Sequence, residues 1–200
     1  MTTRIGILIF DGAEELDFVG PYEVFTMASV IEEGACEVRL IAERDGPVRC
    51  AKGMTVLPQA SIGDCGALDV LLVPGGQGTR REVDNAALLG WIAAVAETAS
   101  WVTSVCTGAM LLTAAGPARG KRVTTHWAFI ESLRARNEAS EVLEHYRYVQ
   151  DGKVVTSAGV SAGIDMALWL VGRLYGIAFA RSVQRRMEYE PLPPYGGLVD

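Results

Sequence analysis

Three apolar-rich runs, residues 5–10 (IGILIF), 68–73 (LDVLLV) and 101–105 (WVTSV), constrain the fold of this chain more than any other feature. They lack the in–out alternation of a strand with one wet face, so they read as strands covered on both faces. Helical stretches separate them, over 18–31 and over 85–98, the latter with Leu88, Leu89, Ile92 and Val95 apolar at helical spacing. Buried strands alternating with helices imply an α/β architecture, a mostly parallel sheet with helices on both faces. The remaining elements fit that plan. Residues 36–42 form a second strand, 48–56 an extended excursion, 122–125 a short strand and 127–136 a helix. Residues 146–149 pair with 154–156 across Asp151-Gly152, and 163–175 and 177–187 close the chain as helices. Residues 190–197 carry Pro191, Pro193 and Pro194, so they are no helix interior and read as an extended tail over a surface or a neighbouring subunit.

Two hundred residues, half of them apolar and 21% charged, suffice for one domain with a full core over 1–200. The net charge is −6 and the basic residues are scattered, which offers no face to a phosphate backbone and argues against nucleic acid as a partner. The first apolar run ends at Asp11-Gly12, too short for a signal-peptide core or a membrane span, so a cytoplasmic location without membrane contact is expected. Four cysteines (Cys36, Cys50, Cys65, Cys106) include no C-x-x-C pair, and there are two histidines. Neither a zinc site nor a disulfide framework is suggested, and a reducing compartment fits.

In a parallel sheet the functional groups gather at the carboxyl ends of the strands. Three segments stand there: 11–17 after the first run, 74–78 (PGGQG) after the second and Cys106-Thr107 after the third. Cys106 lies where a strand turns into a small-residue helix start. Such a corner strains its central residue and presents the side chain, and the helix N-terminus favours thiolate. Spacing alone leaves a buried core thiol as an equal alternative, and the convergence of three strand ends favours the nucleophile. Glu14-Glu15-Leu16-Asp17 precedes a helix, where acids commonly cap free N–H groups, and that explains at least two of the three. Asp17, between Leu16 and Phe18-Val19, reads as facing inward, where loss of water raises its pKa and lets it carry a proton. The Gly75 and Gly76 amides, with that of Thr107, could form an oxyanion-type donor set; a plain turn is the alternative. His126 is either a base for Cys106 or a helix-entry residue with ordinary hydrogen bonds. His145 reads as surface, and Asp165 as a buried structural acid capping the long helix that follows.

Together these residues resemble the ThiJ/PfpI superfamily, of the class I glutamine-amidotransferase-like fold, a flavodoxin/Rossmann-like three-layer sandwich with a nucleophile-elbow cysteine. The anchors are residues 5–12, the run Glu14-Glu15-Leu16-Asp17-Phe18-Val19-Gly20-Pro21-Tyr22-Glu23-Val24-Phe25, Val73-Pro74-Gly75-Gly76 and Val105-Cys106-Thr107-Gly108-Ala109. Asp17 with Gly20-Pro21, Cys106-Thr107 and Thr124-Thr125-His126-Trp127 are most similar to the isonitrile (isocyanide) hydratase branch. Protease-like members carry histidine after the nucleophile where this chain has Thr107. The deglycase branch carries glutamate at Asp17. The domain also occurs fused to a helix-turn-helix pair in AraC-type regulators, a module for which a chain ending at Asp200 leaves no room.

The resemblance implies hydration of an isonitrile to an N-substituted formamide through a Cys106 thioimidate. Asp17 would serve as general acid and base and Thr107 would position water or sulfur. Gly75 and Gly76 would be donors, and Phe18, Trp127 and Ile130, with His126, would line an apolar pocket. No metal or organic cofactor is required, and a homodimer is expected, its packing suited by Pro191 and Tyr195 in the tail. The alternatives are a cysteine-based redox or metabolite sensor and a glyoxalase or deglycase.

Overall fold

The structure, a computed structural model, describes residues 2–190. The first half runs β1 (Thr3–Leu8), α1 (Glu15–Ile31), β2 (Cys36–Ala42), β3 (Val48–Arg49), β4 (Thr55–Val56), β5 (Ala60–Ser61), β6 (Val70–Val73), α2 (Thr79–Glu82) and α3 (Ala86–Thr98). Then come β7 (Trp101–Val105), α4 (Gly108–Ala115), β8 (Arg122–Val123), a 3₁₀ turn (Trp127–Phe129), α5 (Ile130–Ala135) and β9 (Glu141–Val142). The described chain ends with β10 (Tyr148–Asp151), β11 (Val154–Ser157), α6 (Ala162–Tyr175) and α7 (Ile177–Arg186).

Seven strands form one sheet in the order β10-β11-β7-β6-β1-β2-β5. All neighbours are parallel except β10–β11. Helices α1, α6 and α7 pack on one another, and α4 packs on α2 and α3, so the sheet is covered on both faces. The central strands are sealed accordingly, with Ile5, Ile7, Leu71, Leu72, Val102 and Val155 fully buried. Register sets the site. Ile7 lies opposite Leu72, Val73 opposite Ser104 and Ser157 opposite Val105, so β1, β6, β7 and β11 end side by side.

The apolar run over 5–10 outlasts its strand. Ladder pairing stops at Leu8, yet Ile9 and Phe10 stay buried and the Ile9 amide still donates to the Ile41 carbonyl at 2.7 Å, so the run marks burial more than pairing. Helix α1 starts at Glu15, ahead of residue 18, and takes the acids into its first turn. Asn85 stands outside α3 as its cap, its side chain accepting from the Leu88 amide at 3.2 Å. The helix read over 127–136 breaks into the 3₁₀ turn and α5. The excursion over 48–56 is an antiparallel hairpin, with Val48 opposite Val56. The tail over 191–197, with the packing role suggested for Pro191 and Tyr195, lies outside the described residues.

Candidate active site

Cys106 directly follows β7 in a left-handed backbone conformation, φ 55°, a region that costs an L-residue on the order of 1–3 kcal/mol. Its backbone is held on both sides. The amide is shared between the carbonyls of Ser157 (3.2 Å) and Ala158 (3.0 Å), and its carbonyl accepts from Thr125 Oγ1 at 2.8 Å. The turn into α4 needs glycine at position 108, because a β-carbon there would stand 2.2 Å from the Val73 carbonyl oxygen.

Asp17, from the first turn of α1, is 0% exposed. Its Oδ2 accepts from the Gly75 amide at 2.9 Å, while Oδ1 has no hydrogen-bond partner among the described residues. Burial raises the carboxyl to about 7; the Glu14 charge adds to the rise, and the Gly75 amide, the nearby Val160 backbone and Lys52 oppose it. The inward-facing acid read from the sequence is therefore present, with a proton affinity near neutral.

Cys106 differs from its reading. It is 6% exposed, and burial pushes its thiol up to about 12, with the Asp17 charge adding and the Thr107 amide and hydroxyl opposing. The donors at the start of α4 do act on the sulfur, but removal of water outweighs them. Burial therefore works against the thiolate that the helix start favours.

Gly75 and Gly76 are placed at the site but not as the donors the sequence suggested. The Gly75 amide is spent on Asp17, and the Gly76 amide donates to Thr107 Oγ1 at 3.0 Å. Gly75 must be glycine, since a β-carbon would sit 2.5 Å from the Thr107 nitrogen and 2.9 Å from the Cys106 β-carbon. Thr107 is buried, and its hydroxyl also lies 3.1 Å from Thr79 Oγ1, which donates to the Gly76 carbonyl at 2.8 Å. Thr79 went unnoticed in the sequence because nothing around it signals that the short helix α2 reaches β7's end.

The two other acids of the segment do not cap α1. Glu14 occupies the cap position without a side-chain capping bond and pairs with Lys52, while Glu15 Oε1 accepts from the Lys52 amide at 2.7 Å. They hold the turn of the β3–β4 hairpin through Lys52, a role their sequence position cannot reveal.

His126 behaves as the helix-entry residue. Its Nδ1 accepts from the Ala128 amide at 3.2 Å, which leaves Nε2 as a donor, and burial holds its pKa below the usual value although Glu14 opposes this. It packs on Gly159, beside the Ala158 carbonyl that binds Cys106. Trp127 is 81% exposed and Ile130 buried; both line a cavity next to His126. Phe18 is 1% exposed, packed in the hydrophobic core, and offers no surface to a ligand. His145 is exposed as read. Asp165 does not cap α6: it is half-buried in that helix's first turn and accepts from Arg147 Nε at 2.6 Å and Tyr189 Oη at 2.9 Å.

The sequence and the fold have counterparts among known proteins. An isonitrile hydratase of Pseudomonas putida is 40% identical over 195 residues, 98% of this chain and 82% of that protein. The crystal structure of a ThiJ/PfpI family protein from Pseudomonas syringae superposes with a TM-score of 0.88 at 32% identity, covering 97% of this chain and 78% of that one. Drosophila melanogaster DJ-1beta shares the fold at 22% identity, with a TM-score of 0.83 over 95% of this chain and 100% of its own. The DJ-1/PfpI family model matches residues 3–173, which include every residue placed at the Cys106 corner, and the chain belongs to that family.

Proposed function

We propose that this protein hydrates isonitriles, R–N≡C, to N-substituted formamides, with Cys106 as nucleophile and Asp17 as proton carrier. The observation that carries the reading is the fully buried Asp17 carboxyl beside Cys106, one oxygen unpartnered and its pKa near 7. The terminal carbon of an isonitrile must gain a nucleophile and a proton at the same atom, so a thiol and an acid have to serve one point. The 40% identity to an isonitrile hydratase supports the same reaction.

The proton balance is simple. Above about pH 7 the free pair holds one proton, on sulfur. Asp17 takes it as sulfur attacks the terminal carbon, then delivers it to that carbon; an S–C and a C–H bond form, giving the thioimidate R–N=CH–S. Water then adds to the thioimidate carbon, one of its protons passing through Asp17 to nitrogen. Collapse breaks the C–S bond, expels R–NH–CHO and returns the last proton to the pair. Thr107, its hydroxyl oriented by the Gly76 amide, holds the sulfur and the incoming water. No acyl oxyanion develops in the first step. Spending the Gly75 and Gly76 amides on Asp17 and Thr107 therefore costs this reaction nothing, whereas acyl transfer would lack them.

The test is formamide production from a range of alkyl and aryl isonitriles. Turnover is expected with the unmodified protein, loss of it in Cys106→Ala, and a fall of about 10²–10⁴-fold in Asp17→Asn. Absence of formamide from every isonitrile overturns the reading. Selective peroxide oxidation at Cys106 without turnover would then favour a sensor, and methylglyoxal consumption a glyoxalase.

A further inference from the structure

The structure assigns Thr79 a positioning role in the Cys106 chemistry: its hydroxyl can turn from the Gly76 carbonyl to Thr107 Oγ1 and so release the Thr107 proton to the sulfur whenever the sulfur is anionic. The role rests on the hydratase reading and deepens it by naming the group that answers the charge on Cys106.

Thr79 opens the short helix α2 and is 0% exposed. Helix α2 is pinned to the segment after β1, with the Gly78 amide donating to the Gly12 carbonyl at 3.0 Å and Arg81 Nη2 to the Asp11 carbonyl at 2.9 Å. The hydroxyl therefore has a fixed seat, 2.8 Å from the Gly76 carbonyl and 3.1 Å from Thr107 Oγ1. A threonine hydroxyl at a helix start that bonds back to the carbonyl three residues earlier is an ordinary turn device, and that accounts for the first contact. It does not account for the second. Nor does the Gly76 carbonyl depend on Thr79, since Arg80 Nη1 also donates to it at 2.8 Å, the guanidinium lying 4.3 Å from the centre of the Phe129 ring.

Each hydroxyl has one proton to give and two lone pairs to fill. Thr107 Oγ1 accepts from the Gly76 amide at 3.0 Å, and its own proton can reach Thr79 Oγ1 at 3.1 Å or the Gly76 carbonyl at 3.3 Å. While Thr79 donates to Gly76, the contact between the two threonines is made by the Thr107 proton. When Thr79 turns, both lone pairs of Thr107 Oγ1 are filled, by the Gly76 amide and by Thr79. Arg80 keeps the Gly76 carbonyl bonded, so the turn orphans no buried acceptor and the Thr107 proton is free for sulfur. Thr107 Oγ1 and the Cys106 β-carbon stand 2.7 and 2.9 Å from the point that a β-carbon on Gly75 would occupy, so hydroxyl and thiol border one small space. An anionic sulfur draws the second arrangement because a hydrogen bond to a charge is the stronger one. In the cycle sulfur carries that charge twice, when Asp17 has taken its proton and when the C–S bond breaks and returns the electron pair to it. Two hydroxyls rotate, and each oxygen keeps its own proton. The Thr107 hydroxyl already opposes the rise that burial imposes on the Cys106 thiol.

The experiment measures alkylation of Cys106 by iodoacetamide at pH 8, mapped by mass, and kcat for hydration of benzyl isonitrile. The proteins are the unmodified chain, Thr79→Val, Thr79→Ser, Thr107→Val and the double valine variant. Thr79→Val should slow both reactions about tenfold, and Thr79→Ser should stay within about threefold of the unmodified protein. In the Thr107→Val background Thr79→Val should add no further loss, because the hydroxyl through which it acts is gone. Thr79→Ala makes the same comparison if the valine variant does not fold. Alkylation of Thr79→Val at the unmodified rate, losses that multiply in the double variant, or a serine variant as slow as the valine one overturns the positioning role and leaves the hydratase reading standing. Absence of formamide from every isonitrile overturns the hydratase reading, and the alkylation rates, which need no isonitrile, then decide the role of Thr79 by themselves.

Discussion

Taking a thiol and a carboxyl out of water together leaves the question of which one holds the proton, and at Cys106 and Asp17 the answer sets the pH range of the chemistry. Burial raises both, to about 12 and about 7, so between those values the pair carries a single proton. Below about 7 Asp17 takes up a second one and can no longer accept the thiol proton. On the hydratase reading, kcat/KM should therefore fall tenfold per pH unit on an acidic limb centred near pH 7 and stay level up to pH 9; a limb near pH 4 would place an ordinary carboxylate at Asp17. Gly75→Ala tests the packing of the same atoms. Its β-carbon would meet the Thr107 nitrogen at 2.5 Å and force the loop off Asp17. Loss of about 10²-fold in kcat, with the fold retained by circular dichroism, is the expected result.

The β3–β4 hairpin is tied to the segment after β1 that leads to Asp17. The Gly12 amide donates to the Arg49 carbonyl at 2.8 Å, the Ala51 amide to the Ala13 carbonyl at 2.8 Å, and Glu14 and Glu15 hold Lys52 by its side chain and amide. Lys52 lowers and Glu14 raises the Asp17 pKa. Replacing Lys52 by Met should accordingly move the acidic limb to higher pH, and replacing Glu14 by Gln should move it lower. Shifts of a few tenths of a pH unit, shrinking with added salt, are expected because Lys52 is largely exposed. Movement in the wrong direction would sever the hairpin from the chemistry. This element was only half legible in the sequence. Continuous apolar runs identify strands buried on both faces, and so the sheet, its helices and the three strand ends can be read directly. Residues 48–56 carry no such run, and the hold on the hairpin depends on Glu14 and Glu15, whose position before a helix suggests capping. The commitment of the Gly75 and Gly76 amides was hidden for a related reason: a glycine pair announces backbone freedom without saying which acceptor it meets. Asp17 was legible because a carboxyl between Leu16 and Phe18-Val19 has little choice but to face inward.

At the scale of the whole molecule the site is a cost to stability. The Asp17 pKa is raised in the folded chain, from 3.8 to about 7, so the folded state binds its proton more tightly than the unfolded one. That stabilisation is complete below the unfolded value and is lost as pH rises through the folded one. Asp17→Asn removes a buried charge without removing the hydrogen-bonding acceptor for Gly75. Above pH 8 it should stabilise the fold, by up to about 4 kcal/mol, and the gain should vanish below pH 4. Chemical denaturation of both proteins across that range measures it, and an Asn variant less stable at pH 8 would mean that the charge is better satisfied than its surroundings indicate. Gain in stability with loss of activity is the pattern expected of a functional acid.

The most direct measurement is the mass of the intact protein during turnover of an isonitrile in excess. A species heavier than the free chain by the mass of one isonitrile is expected, mapped to Cys106, absent from Cys106→Ala and accumulating in Asp17→Asn if water addition is the slowed step. Formamide production by Cys106→Ala, or turnover by the unmodified protein with no adduct at Cys106 under rapid quench, would contradict the thioimidate route.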